Sequence, residues 1–306
     1  TADNGTGGTG KITGGYSYNA CGGVNVPESG VLNFESGEIT GNRSTGGEGG
    51  LSVYGHINMS GGSITNNVGG NSNAGGLGIC GGSLITGGVI SGNSAGFVSG
   101  FGWAPGNNLA YMEHKASNLI VTGNTGSPAI RARGDSTHTI SYSLSNCTIS
   151  ENNVSNVIYL DSYAIMNFES CVIEENKPNS ASNIIYNPSE TGTINLKNCI
   201  VQGNSTLSGI ISTAGALNLE NTNIVDNSST YTSAIYGTNT STITITGGEI
   251  SGNAGTSAST SNAYYGTIFS AGTLTMTDVT VAGNTAEHIS GIYVKGGTAN
   301  ILPIYG

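Results

Sequence analysis

Charge is scarce in this sequence. Only 8% of its 306 residues are Asp, Glu, Lys or Arg, against the roughly 25% usual in globular domains. The balance is acidic, with a formal net charge of −10, and no Lys/Arg cluster occurs. Nucleic acid and anionic membrane are therefore poor partners. No apolar run reaches the roughly 18 residues needed to cross a bilayer, so this segment is not expected to insert in a membrane. Proline is held to 6 residues and tryptophan to 1. The 5 cysteines are an odd number, and their spacing fits neither a disulfide framework nor C-x-x-C metal binding. No cofactor or metal is expected. The chain opens at Thr1 without Met or a signal-peptide pattern, as a mature or excised segment would.

What is present is glycine, at 51 residues, with many Ser, Thr, Asn, Ile, Val and Leu. Abundant β-branched residues exclude a disordered chain. A lightly charged, hydroxyl-rich surface suits a secreted or cell-surface location.

The order in the chain is a repeat. An aliphatic residue is followed three positions later by Asn ten times, giving Asn42, Asn67, Asn93, Asn124, Asn152, Asn176, Asn204, Asn227, Asn253 and Asn284. Most passes carry an alternating apolar pair just before this motif, such as Leu32 and Phe34, Met166 and Phe168, or Leu217 and Leu219. Alternation with period two marks a strand with one face buried. A third short apolar segment follows a variable stretch, as at Ile158-Tyr159 and Ile185-Tyr186. Three strands per pass predict an all-β, right-handed, single-stranded parallel β-helix of about ten to eleven rungs. It forms a single domain over 1–306, with 1–30 as an N-terminal rung or cap, 31–295 as regular rungs and 296–306 as the C-terminal end. Leucine-rich repeats need a helical or 3₁₀ back side, and propellers need four antiparallel strands per blade. Neither pattern occurs here.

Asn tolerates left-handed backbone and can bond neighbouring amides, so the ten asparagines are expected to form a structural ladder up one corner. Cys147, Cys171 and Cys199 fall at one position of three consecutive rungs and are expected to stack as small buried groups.

A β-helix repeats its core and varies its loops, so binding belongs to the departures from the repeat. The strand pair is lost before Val121, in the stretch that holds Phe101, Trp103 and Tyr111. These rings are expected to leave the rod surface for ligand contact, or else to fold back and seal it. Tyr264 and Tyr265 occupy a second long interval. In the third strand, Tyr54, Tyr159, Tyr186, Tyr236, Phe269 and Tyr293 predict an outward aromatic column, fit for a glycan chain or for stacking that stiffens the sheet. Arg133-Gly134-Asp135 is the tripeptide by which many extracellular proteins engage integrins, though it is short enough to arise by chance. The densest acidic patch, Glu151, Glu174 and Glu175 beside Lys177, reads as a solvated face. His56, His114, His138 and His288 recur in phase with no carboxylate.

Two motifs carry a resemblance. Ile39-Thr40-Gly41-Asn42 precedes Gly49-Gly50-Leu51, and Ile64-Thr65-Asn66-Asn67 precedes Gly75-Gly76-Leu77. This resembles the repeat of the polymorphic outer-membrane-protein and adhesin-like β-helix families, which alternate F-x-x-N with G-G-A-[ILV]. Ile or Val replaces the Phe throughout, and later rungs lose the double glycine. The resemblance implies the fold and surface display more than any ligand. The resulting expectation is a non-enzymatic, adhesin-like scaffold that binds a glycan or a host or partner surface protein through its loops and aromatic face. The alternatives are a structural subunit that self-associates end to end into a fibre, and a polysaccharide lyase or hydrolase.

Overall fold

Each pass of the chain bends twice through left-handed backbone, and these bends create the rung. One bend lies immediately before every ladder asparagine. Gly41, Asn66, Gly92, Gly123, Glu151, Glu175, Gly203, Asp226, Gly252 and Gly283 take φ between 53° and 64° there. The left-handed position is thus the residue before the ladder Asn, not the Asn itself as expected. The ladder Asn is needed for its amide. The other bend, at residues such as Asn146, Ser170, Asn198 and Asn221, also has positive φ and separates the first two strands. Side chains at these bends are mostly Gly, Asn or Asp, which pay least for this conformation.

The computed structural model describes residues 10–103, 114–136, 138–178, 182–256, 266–287 and 289–302. They form a parallel β-solenoid with no helix. Three eleven-stranded sheets run the length of the rod. The first-strand sheet extends from Val31–Phe34 to Thr298–Leu302, the Asn-turn sheet from Lys11–Thr13 to Thr280–Ala282, and the third-strand sheet from Val24–Val26 to Ile292–Val294. At about 4.8 Å per rung, the rod is on the order of 50 Å long.

The core is a set of columns. Ile39, Ile64, Ile90, Val121, Ile149, Ile173, Val201, Ile224 and Ile250 stack in register and are buried. Burying each contributes roughly 1.5–3 kcal/mol. Cys147, Cys171 and Cys199 stack beside them, fully buried, and all five cysteines are free thiols. The sulfurs of Cys147 and Cys199 flank that of Cys171 and hold its thiol protonated, well above the ordinary range.

The asparagine ladder runs unbroken from Asn42 to Asn284. Each Asn from Asn42 to Asn253 donates both its backbone N–H and an Nδ2–H to Oδ1 of the next Asn, at 2.9–3.2 Å. Nδ2 also reaches back to the carbonyl of an aliphatic residue on the preceding rung, as Asn67 does to Ile39 at 2.9 Å. Nine of the ten side chains lie in buried positions, so these amides are satisfied by one another rather than by water.

Two expectations about the rung at Val121 are corrected. The first strand is not lost there, since His114–Ser117 continues the sheet with His114 and Ala116 buried. Phe101 and Trp103 do not leave the rod. They form the third strand Phe101–Trp103, paired with Leu77–Ile79 and Ile130–Ala132, and are 0% and 1% exposed. The Trp103 indole stacks on Tyr142 at 4.8 Å, and its N–H donates to Ser83 Oγ at 2.9 Å. Ser83 and His114 occupy inward positions that are apolar in other rungs, which hid the strand from an apolar pattern. The neighbouring Ala116 and Ala132 are small enough to leave room for the indole.

Asn176→Ala would orphan the buried backbone N–H of Asn152, take one acceptor from its Nδ2, and remove the side-chain donor to Ile149 O and Asn204 Oδ1. It is expected to lose at least about 2 kcal/mol of stability, followed by the fluorescence of Trp103 in denaturant. Asn218→Ala, on an exposed bond to Asn195, should change stability by no more than about 0.5 kcal/mol. Equal losses would refute a special role for the buried ladder. Thiol labelling of the native protein should reach Cys21 and Cys80, with Cys147, Cys171 and Cys199 reacting only after unfolding.

Candidate functional site

The outward row of the third-strand sheet changes character half-way along the rod. In register it reads Asn25, Ser52, Gly78, Gly102, Arg131, Tyr159, Tyr186, Ser212, Tyr236, Phe269 and Tyr293. The predicted aromatic column therefore exists over the later rungs, with two corrections. Tyr54 is out of phase, because Ser52 holds the row position and Tyr54 follows the strand. Phe269 is 2% exposed, stacked near-parallel on Tyr236 at 5.0 Å and tilted on Tyr293 at 5.6 Å. Its faces are therefore taken by its neighbours.

Arg131 heads the aromatic stretch. Its guanidinium lies over the rings of Phe97 and Tyr159, 3.9 and 4.6 Å from their centroids. It also donates two hydrogen bonds to Asp161, at 2.6 and 2.9 Å. Tyr159 packs edge-on against Tyr186 at 5.5 Å. Burial raises the Tyr159 hydroxyl pKa most, the Asp161 carboxylate adds to this, and Arg131 opposes it.

The row breaks at Ser212. Where its neighbours one rung away on either side carry a tyrosine, this rung carries a hydroxymethyl group. The break opens a cleft of about 320 Å³ walled by Tyr186 and Tyr236, at the lower end of small-molecule sites. Asn156, Asn183, Ser208 and Thr232 line one side, and Tyr231, 43% exposed, stands at the mouth. The third strand carries one extra residue here: Gly209 pairs Thr232, but Ile211 pairs Ile235. Bulges of this kind re-aim side chains and gather near functional sites. Thr232 is 1% exposed, and its Oγ1 has no hydrogen-bond partner. A buried hydroxyl left unpaired costs roughly 1–3 kcal/mol.

Of the residues singled out from sequence, Tyr186 and Tyr236 face one another across this cleft and Tyr159 lies one rung away. Phe101 and Trp103 are removed from the surface. Tyr111, Tyr264 and Tyr265 lie outside the described residues. Ser212, Thr232, Asn156, Asn183, Ser208 and Tyr231 were missed. The signal was the serine that interrupts the tyrosines of the row, visible once Ile211-Ser212 is aligned with Ile185-Tyr186 and Ile235-Tyr236 rather than reading Ile210-Ile211 as the phase-setting pair.

The other candidates are scattered. Gly134 of the Arg133-Gly134-Asp135 tripeptide is buried against the Tyr163 carbonyl, and Asp135 Oδ1 accepts from His138 N–H at 2.9 Å. Glu151 and Glu175 occupy left-handed bends, and Glu174 accepts from Gln202 at 2.8 Å. Among the described residues, no three His, Cys, Asp or Glu side chains come together in a way that could hold a metal. Nor, among the described residues, is there a helix long and apolar enough to cross a membrane.

No protein-family model, curated protein or solved structure matches this chain.

Arg131→Met would leave Asp161 without its cation and is expected to cost about 1–3 kcal/mol, tempered by the partial exposure of the pair. Because Arg131 favours the phenolate, its loss should move ionisation of Tyr159 to higher pH. Ultraviolet absorbance, taken as a difference from Tyr159→Phe, would read the shift. An unchanged or lower value would contradict the stacking described here.

Proposed function

We propose that this chain is a secreted or cell-surface scaffold of adhesin-like type that binds a glycan at the Tyr186–Tyr236 cleft. The observation that carries this reading is the cleft itself, two tyrosine walls around a floor of hydroxyls and amides, one of them the unpaired Thr232 hydroxyl. Sugar rings offer an apolar C–H face and a rim of hydroxyls. Aromatic rings suit the first, and Asn, Ser and Thr side chains suit the second. The repeat-level resemblance to adhesin-like families supports surface display, and the scarcity of charge and of lysine is consistent with it.

Tyr186, Tyr236, Ser212, Asn183 and Thr232 sit on strands, which holds these groups in place before a ligand arrives. That arrangement suits binding without turnover. The described residues that line the cleft include no carboxylate, so they offer no general acid and base to a glycosidic bond.

Ser212→Tyr tests the reading directly. The substitution restores the aromatic row and fills the cleft while leaving every strand intact. On a glycan array the wild-type protein should bind a defined subset, and Ser212→Tyr should lose at least about tenfold in affinity with its thermal unfolding unchanged. Tyr236→Ala should weaken the same glycans. Wild-type binding to no glycan, or undiminished binding by Ser212→Tyr, would sink the proposal.

A further inference from the structure

We infer that the ligand of this cleft is an uncharged oligosaccharide lying parallel to the rod axis and spanning about four rungs. This rests on the glycan reading above and makes it specific in charge, direction and length.

The direction follows from two tracks that run side by side. One is the aromatic row, Tyr186, Ser212 and Tyr236, on three consecutive rungs. The other is polar and starts one rung earlier. Asn156 Oδ1 accepts from Asn183 N–H at 3.0 Å, and Thr232 N–H donates to the Ser208 carbonyl at 3.3 Å. These bonds tie the polar side of the cleft together from rung to rung. A ligand laid across the axis would meet one aromatic residue and one polar group. A ligand laid along it meets both walls and every polar group of the second track. From the rung of Asn156 to that of Thr232 is three intervals, or about 14 Å. That distance takes a short chain of sugar rings, not one.

The charge follows from the lining. None of the described residues that line the cleft is ionisable near neutral pH. In the same outward row, Arg131 is held by Asp161 through two hydrogen bonds. The formal charge of −10 adds a general repulsion of polyanions. A uronate or sulfate in the cleft would be desolvated with no cation to receive it. Hydroxyls would instead meet Thr232, Ser212 and Asn183, three polar side chains 1%, 8% and 8% exposed.

Titration calorimetry with two homologous series gives the test. The neutral probes are gluco-, manno- and xylo-oligosaccharides of one to six units. The acidic probes are oligogalacturonides of the same lengths. At least one neutral series should gain tenfold or more in affinity between one unit and about four, then level off. The acidic series should bind at least tenfold more weakly at matched length. Raising NaCl from about 0.05 to 0.5 M should move the neutral affinity less than twofold. Asn156→Ala, at the far end of the polar track, should weaken the tetrasaccharide threefold or more and leave the monosaccharide unchanged. A monosaccharide that binds as tightly as a tetrasaccharide overturns the axial placement while glycan binding stands. Tighter binding of the acidic series overturns the neutral assignment alone. Binding by no member of either series removes the glycan reading, and this inference with it.

Discussion

The structure depends on a buried amide that can be satisfied only by its own copy one rung away. Every interior ladder asparagine has an oxygen that accepts twice and a nitrogen that donates at least twice, with fixed partners: a backbone N–H, two neighbouring amides and a carbonyl. A slip of one residue in any rung would leave several of these groups unpaired in a water-free environment, at roughly 1–3 kcal/mol each. The aliphatic columns supply more stabilisation in total, but hydrophobic contact is tolerant of register. The amides are not, so they set the phase in which Ile, Val and Leu pack. The left-handed residue before each of them turns the amide inward.

Much of this was legible in the chain because the ladder writes itself as Ile-x-x-Asn. The three strands, the stacking of Cys147, Cys171 and Cys199, and the aromatic row over Tyr159, Tyr186 and Tyr236 all follow from that one phase. The misreadings have two causes. The stretch around Trp103 reads as a departure from the rod because the first strand of its rung, His114–Ser117, lacks the apolar pair, whereas Phe101–Trp103 is in fact the third strand with Gly102 outward. A third strand of three residues also carries too little alternation to say which residue faces in, so Tyr54 reads as a member of a row whose true member is Ser52. Ser83 and His114 are polar residues at apolar positions; the indole N–H of Trp103 donates to the first and the ring of Tyr142 packs against the second.

The cleft was missed for a different reason. A repeat is searched for what recurs, and Ser212 matters because it does not. One small side chain between two tyrosines converts a stacked row into a recess, and the neighbouring bulge brings in Thr232. The serine costs the scaffold little, because it stands at an outward position, whereas the unpaired Thr232 hydroxyl carries a cost that the site retains. Function and stability are thereby separated by the pleat of the strand: residues at odd positions build the rod, and those at even positions can vary.

The ladder asparagines are separated by as few as 23 and as many as 31 residues, yet the bonds between them stay within 0.3 Å of one another. The rod therefore counts turns, not residues. Loops can lengthen at a corner without displacing anything above or below. Whole coils, by contrast, are interchangeable parts. Copying or deleting one coil would carry the recess a fixed step up or down the shaft with its chemistry intact. A lineage of such chains could relocate a binding site along its length by recombination alone, with no intermediate in which the site is half built.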